Sequence, residues 1–159
     1  AGTPAAGADA RARALLAIEA AWRDALPQAR IVRLAGLYGP GRVVGERPLR
    51  AGTPIGGDPD AWLNLLWGED AAALLDCLPA AGAAAPVELG CDDAPVRRRE
   101  YYTELARRLG VPVRFEPDGG EGRASRRCDN GPTRVRTGWR PAVADWRAGL
   151  EGLLPGMPR

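Results

Sequence analysis

The sequence predicts an α/β fold in which at least part of a parallel sheet is flanked by helices. Three observations carry this. Short apolar or β-branched runs, each bounded by glycine, proline or aspartate, alternate with longer amphipathic stretches along the whole chain. The amphipathic stretches have helical spacing and helix-type ends. The interval between successive strands is long enough for a helical crossover, which parallel neighbours require.

Taken in order, Asp9 is placed to cap a first helix whose apolar positions Leu15, Leu16, Ile18, Ala21, Trp22 and Leu26 recur at helical spacing until Pro27 ends the pattern. "RIVRLA" (30–35) is short and β-branched at Ile31 and Val32, and reads as a strand running into a loop from Gly36 to Gly41. A Gly/Pro-rich crossing from Arg42 to Asp60 follows. "WLNLLW" (62–67) has strand character. "EDAAALLDCL" (69–78) has helix character, with an acidic start that favours the helix dipole. "PVELG" is another brief strand, "CDDAP" a turn whose carboxylates can cap, and "VRRREYYTELARRLG" a helix closed by Gly110. "VPVRF" (111–115) is extended and leads into a polar, Gly-rich connection through Gly122. The end, "PAVADWRAGLEGLL", reads as an amphipathic helix that packs through Trp146, Leu150, Leu153 and Leu154. Strands near 30–35 and 86–90 are expected in one parallel sheet with an exposed edge.

Composition narrows the chemistry. The 159 residues are enough for one domain with a sizeable core, and 45% hydrophobic with 26% charged residues is ordinary for a globular chain. All 22 basic residues are arginine, and with abundant alanine this fits the bias of a GC-rich genome. The formal charge of +2 lacks the one-sided basic excess of a phosphate-backbone binder, so no nucleic acid is expected as a partner. Without histidine there is no Ser-His-Asp or Cys-His arrangement, and without lysine no Schiff base or Walker-type loop. Cys77, Cys91 and Cys128 are far apart in sequence and odd in number, which suggests free thiols rather than a metal site or a disulfide framework. No stretch approaches the roughly 18 apolar residues of a membrane span, and the N-terminus lacks the apolar centre of a signal peptide, so a cytoplasmic location without membrane contact is expected.

"RIVRLAGLYGPGR" (30–42) raises the possibility of a phosphate-cradling loop. A dinucleotide fingerprint needs glycines at a strand-to-helix turn, so that backbone N–H groups meet a pyrophosphate at the helix N-terminus. Here Pro40 removes an N–H within the loop, and "VVGERPLRAG" opens no long helix. As a phosphate fingerprint the segment fails.

The same residues resemble the segment after the sixth strand of extended short-chain dehydrogenase/reductases, in particular the NAD-dependent epimerase/dehydratase family. Three further stretches agree in order and spacing. "WLNLLWGEDAAALLDCL" is similar to the family's Asn-[Arg/Leu]-Ile-His-Val-Asp-Asp-Leu-Ala segment, and "VELGCDDAPVRRREYYTELARRLG" to its later strand and following helix. "RRCDNGPTRVRTGWRPAVADWRAGL" is similar to its Asn-x-x-x-Arg and Gly-Trp-x-Pro tail. The resemblance implies a partial Rossmann-like parallel sheet, with residues 1–159 forming a single α/β domain equivalent to the C-terminal, substrate-side half of such a protein.

It also implies what this chain lacks. Members open on a strand carrying Gly-x-x-Gly-x-x-Gly for the cofactor pyrophosphate, and no such segment precedes the first helix. Alignment on the family's helical glutamate, here Glu19, puts Arg11 and Leu15 at the positions of the Tyr-x-x-x-Lys pair, whose lysine lowers the tyrosine pKa for acid–base work. Tyr38, Tyr101 and Tyr102 have no lysine to assist them. The family's His-Val-Asp-Asp is Trp67, Gly68, Glu69 and Asp70. No catalytic residue is therefore assigned.

By resemblance, Ala35, Gly36, Leu37 and Tyr38 line a nicotinamide (NAD or NADP) pocket; a plain turn with Tyr38 packed beneath it accounts for them equally well. Arg42 and Asn64 fall where members meet a nucleotide-sugar, and a guanidinium suits a diphosphate through two charge-assisted bonds, although a surface arginine needs no such task. Asp92 and Asp93 form either a paired-carboxylate site or, more simply, a cap for the next helix. Arg97, Arg98 and Arg99, with Arg107 and Arg108, read as a solvated helix face. Trp139 and Trp146 read as core aromatics, and Asn130 as a local backbone binder. Two functions compete: the substrate-side part of a nucleotide-sugar epimerase/dehydratase-like oxidoreductase, inactive by itself, and a non-catalytic α/β binding or scaffold module of that lineage. An exposed sheet edge would favour homodimerisation or swapping.

Overall fold

A computed structural model describes residues 10–78, 87–116 and 125–154. In chain order the elements are α1 (Ala10–Ala25), β1 (Val32–Leu34), β2 (Gly36–Tyr38), α2 (Glu46–Arg50), β3 (Ile55–Gly56), β4 (Trp62–Leu63), β5 (Leu65–Trp67), α3 (Gly68–Asp76), β6 (Glu88–Gly90), β7 (Val96–Arg97), α4 (Arg98–Leu109), β8 (Phe115–Glu116), α5 (Gly131–Thr137) and α6 (Trp146–Leu153). Asp9 and most of the Gly-rich connection before Gly122 lie outside the described residues.

The expected parallel pairing of segments 30–35 and 86–90 is present: β1 runs parallel to β6, with Val32 opposite Glu88 and Leu34 opposite Gly90. At Ala35 the chain changes partner. Ala35 N–H donates to the Gly90 carbonyl, Gly36 N–H donates to the Asn64 carbonyl, and β2 then runs parallel to β5. Asp92 N–H donates to the Leu65 carbonyl, so β6 and β5 are also joined. Residues 36–38 are therefore strand and not the loop expected from their glycine. The apolar residues Leu37 and Tyr38 each bury a face, and the turn waits until Pro40 and Gly41.

Alternation along the strands divides the core between two faces. Tyr38 and Leu65 point to one face, where Leu49, Tyr101, Leu105, Trp146 and Leu150 bring α2, α4 and α6 onto the sheet. Leu37 and Leu66 point to the other, against Leu74 of α3 and Trp139. Helices on both faces of a parallel sheet give the doubly covered α/β arrangement. Gly90 lets the second face close, because a Cβ there would stand 2.9 Å from the Leu34 and Leu74 side chains. Trp139 and Trp146 are core residues as expected, 2% and 1% exposed.

Several expectations are corrected. "WLNLLW" is two strands broken at Asn64, and β4 pairs antiparallel with β7. Within "VPVRF" only Phe115 joins a strand, β8, which pairs with β3. The last helix starts at Trp146, where the Asp145 side chain accepts from Arg147 N–H as an N-cap, and Pro141–Asp145 is irregular. Helix α1 forms as expected but does not pack its apolar positions: Leu15, Ile18 and Trp22 are more than half exposed. Its described tie to the sheet is polar, a two-pronged contact in which Arg33 donates to both Glu19 carboxylate oxygens at 2.8 and 2.6 Å.

Candidate functional site

At the end of β6 the chain turns through Cys91, Asp92 and Asp93 and faces the segment that leads into α5. Between them lies an open cleft of about 580 Å³, lined among others by Asp92, Asp93, Arg127, Cys128, Asn130 and Arg134. Asn64 holds in place the segment that carries Arg127 and Cys128. Lying at the break between β4 and β5, it meets β2 through its carbonyl, which accepts from Gly36 N–H. Its Nδ2 donates to the Arg126 carbonyl and its Oδ1 accepts from Cys128 N–H, both at 2.8 Å. Ser125 Oγ accepts from Trp62 N–H, and the guanidinium groups of Arg97 and Arg127 lie 3.9 and 5.4 Å from the centre of the Trp62 ring.

Asn130 ties the near wall. Its Nδ2 donates to the Cys91 carbonyl at 2.7 Å and to Asp93 Oδ1 at 2.8 Å, so its work is long-range and not the local bonding expected. Asp93 also accepts from Arg134 at 2.9 Å. Neither Asp92 nor Asp93 caps α4, whose N-cap is Arg97 with no side-chain bond. Asp92 is instead 2% exposed; Oδ1 accepts from Ala94 N–H and Oδ2 has no protein partner. Burial pushes its carboxyl up to about 7. The Ala94 N–H opposes that rise, and the charges of Asp145 and Asp93 reinforce it. A buried carboxyl near neutrality beside a cleft has the character of a functional group. The sequence signal for it is the Asp-Asp pair itself, whose composition equally suits a cap.

The other expected site residues are placed as follows. Ala35 and Leu37 pack against the Leu66 and Trp139 cluster, and Gly36 lies against the Asn64 carbonyl. Tyr38 is 1% exposed, its ring edge-on to Trp67 at 5.3 Å and its hydroxyl without a protein partner. Burial, then the charges of Asp92, Asp145 and Asp70, push its phenol above its ordinary range. Tyr101 is fully buried and donates to the Val44 carbonyl at 3.0 Å. Arg42 donates through Nε to the Leu37 carbonyl at 3.1 Å and lines a different cleft, with Arg47 and Arg50. Asn64 and Arg42 thus flank β2 but do not share a cleft among the described residues. Arg97 and Arg99 are exposed and Arg98 half-buried, and all three also tether: Arg97 and Arg99 reach Asp60, and Arg98 reaches the Gly56 carbonyl. Arg107 and Arg108 both pair with Glu104.

Backbone donors at β2 are already spent, since the N–H groups of Ala35 and Gly36 serve Gly90 and Asn64. A Cβ on Gly36 would meet the Asn64 carbonyl at 3.2 Å, so strand packing, and no cradle for a phosphate, accounts for that glycine. Ala35–Tyr38 fit at most an apolar contact with a nicotinamide ring; they do not fit a dinucleotide pyrophosphate.

No protein-family model matches the sequence, and no curated protein does. Solved structures do. A functionally unknown conserved protein from Silicibacter pomeroyi DSS is 27% identical with a TM-score of 0.74, over 95% of this chain and 57% of that one. A dTDP-glucose 4,6-dehydratase from Streptomyces venezuelae with NAD bound is 20% identical with a TM-score of 0.68, over 92% of this chain and 49% of that one. A UDP-glucose 4-epimerase from Thermotoga maritima with UDP-glucose is 18% identical with a TM-score of 0.65, over 88% and 49%. The chain spans about half the length of these structures, and its fold is the Rossmann-like α/β fold that they share over that half.

Proposed function

From the fold shared with NAD-dependent epimerase and dehydratase structures over about half their length, we propose that this chain is the substrate-side part of a nucleotide-sugar epimerase/dehydratase-like oxidoreductase that uses NAD or NADP. The observation that carries the reading is the position of Asn64. It sits beside Gly36 where the sheet changes partner, and it fixes the Arg126–Cys128 wall of the cleft with both ends of its amide. Arg42 and Asn64 are assigned to the substrate, and Ala35, Gly36, Leu37 and Tyr38 to the nicotinamide end of the cofactor. The pyrophosphate grip and the Tyr/Lys pair are assigned to no residue of this chain. The location proposed is cytoplasmic; among the described residues no helix is long and apolar enough to cross a membrane.

What this chain contributes is positioning. A guanidinium and a fixed amide can orient a diphosphate and a sugar hydroxyl without changing protonation. A nicotinamide cofactor, when bound, supplies hydride transfer.

One observation favours the second reading, a non-catalytic binding or scaffold module. All three tyrosines are buried, 1%, 0% and 6% exposed, and the sequence has no lysine to lower a phenol. Homodimerisation is part of either reading. Leu15, Ile18 and Trp22 of α1 form an exposed apolar stripe that a second copy of this chain can bury.

Calorimetric titration with UDP-glucose and dTDP-glucose tests the proposal. Saturable heat that Asn64→Ala reduces at least tenfold in affinity, with little heat from NAD or NADP alone, is expected. No nucleotide-sugar binding by the folded chain contradicts it. Turnover by the gene's full-length product separates the readings, since binding without turnover supports the module.

A further inference from the structure

Cys91 and Cys128 are 37 residues apart in number, but Asn130, two residues from Cys128, binds the Cys91 carbonyl and brings their segments together. Cys91 is the first residue after β6 and has no exposed surface, whereas Cys128 is partly exposed and lines the cleft. Two side-chain amides hold their segments in place: Asn130 Nδ2 on the Cys91 carbonyl at 2.7 Å and Asn64 Oδ1 on Cys128 N–H at 2.8 Å. The two thiols lie close enough that each shifts the titration of the other. All three cysteines are free thiols, as their separation in sequence suggests, but two of them lie at one place in the fold. Cys77, the exposed C-cap of α3, stands apart from the pair.

We propose that Cys128 and Cys91 are a peroxide-responsive thiol pair, in which Cys128 takes oxygen from a hydroperoxide reaching the cleft and Cys91, beneath it, resolves the product to an intramolecular disulfide. The proposal does not depend on the nucleotide-sugar reading.

Electrostatics divide the roles in the same direction as exposure. The Cys91 thiol beside it lowers the Cys128 thiol to about 7; burial opposes this and the charge of Arg126 assists it. Cys128 in turn raises Cys91, and burial and the neighbouring carboxylates raise it further, so Cys91 keeps its proton. In the first step the Cys128 thiolate attacks the terminal peroxide oxygen. An S–O bond forms, the O–O bond breaks, and the alkoxide or hydroxide leaves as the alcohol or water after taking a proton from solvent. Cys128 is oxidised by two electrons to the sulfenic acid while the peroxide is reduced. In the second step Cys91 sulfur attacks Cys128 sulfur. The S–S bond forms, the S–O bond breaks, and the departing hydroxide takes the Cys91 proton to leave as water. The sum is two thiols and one hydroperoxide giving one disulfide, one alcohol or water, and one further water. The bond would pin the Arg126–Cys128 wall covalently to the end of β6.

The test treats the 159-residue chain with one to a few equivalents of hydrogen peroxide and counts thiols chromogenically under denaturing conditions. A fall from three thiols to one is expected, with dithiothreitol restoring three and a non-reducing peptide map showing the Cys91 and Cys128 peptides cross-linked within one chain. Alkylation of untreated protein should give a Cys128 rate that rises through an inflection near pH 7. In Cys91→Ser, Cys128 should persist as a sulfenic acid trapped by dimedone. Loss of one thiol with Cys128 driven to the sulfinic acid and Cys91 still reduced overturns the proposal. So does a cross-link through Cys77, or an alkylation inflection above pH 8. The wild-type measurements decide the matter even if Cys91→Ser fails to fold.

Discussion

Asp70 holds Trp139 and the chain that follows it. The Asp70 carbonyl accepts from Trp139 Nε1 at 3.0 Å, and its carboxylate accepts from Ala142 N–H and Val143 N–H at 2.8 and 2.9 Å, one oxygen to each. Asp70 is 3% exposed and lies in the first turn of α3, where the helix dipole also favours its charge. Asp70→Ala strands two backbone donors and should cost about 3 kcal/mol in urea unfolding. Asp70→Asn keeps one acceptor and should cost about half as much. Equal midpoints for wild type and Asp70→Ala would show that the tail docks by other means.

Two glycines of α6 make a matched pair. A Cβ at Gly149 would stand 2.4 Å from the Tyr38 hydroxyl and 2.7 Å from its ring, whereas one at Gly152 meets nothing within 4 Å. Helix propensity favours alanine over glycine by up to about 1 kcal/mol at both, but overpacking of a buried ring costs about 1–3 kcal/mol. Gly152→Ala should therefore raise the thermal midpoint and Gly149→Ala lower it. Tyr38→Phe should be neutral or slightly stabilising, because it removes a buried hydroxyl that has no protein partner.

Two buried carboxylates predict opposite pH trends. The hydrogen bonds from Arg136, at 2.9 and 2.8 Å, depress Glu88 below its ordinary value, so its stabilisation is present above about pH 4.5 and is lost as pH falls through the lower folded value. Arg136→Ala should cost about 2 kcal/mol at pH 7, allowing for the partial exposure of Arg136, and less at pH 4. Asp92 has the reverse sign. Its folded value, about 7, lies above the unfolded 3.8, so the folded state binds the extra proton and stability declines from pH 4 to 7. Asp92→Asn should gain on wild type by on the order of 2 kcal/mol between pH 5 and 8. A constant difference across that range would remove Asp92 as a titrating group.

The sheet was legible because its signal is local. β-branched or apolar runs next to glycine marked β1, β5 and β6, and the expected parallel pairing of 30–35 with 86–90 is the one found. Gly110 marked the end of α4 through its left-handed backbone, φ 67°. What was not legible depends on contacts distant in sequence. Asn64 reads as a strand residue until residues 126–128 arrive to be held by it. Asp92 and Asp93 have the composition of caps, but the Cys91–Asp93 turn is drawn to Leu65 and Asn130 before α4 begins. Leu15, Ile18 and Trp22 have the spacing of a packed helix face, and periodicity cannot say whether a partner surface lies within the described chain.

Hydrogen–deuterium exchange with and without saturating UDP-glucose tests the substrate-side assignment most directly. Slowed exchange confined to the β4–β5 segment (62–67) and to 125–130, abolished in Asn64→Ala, is the predicted result. Exchange unchanged in both segments at a concentration that saturates any measured heat would contradict it.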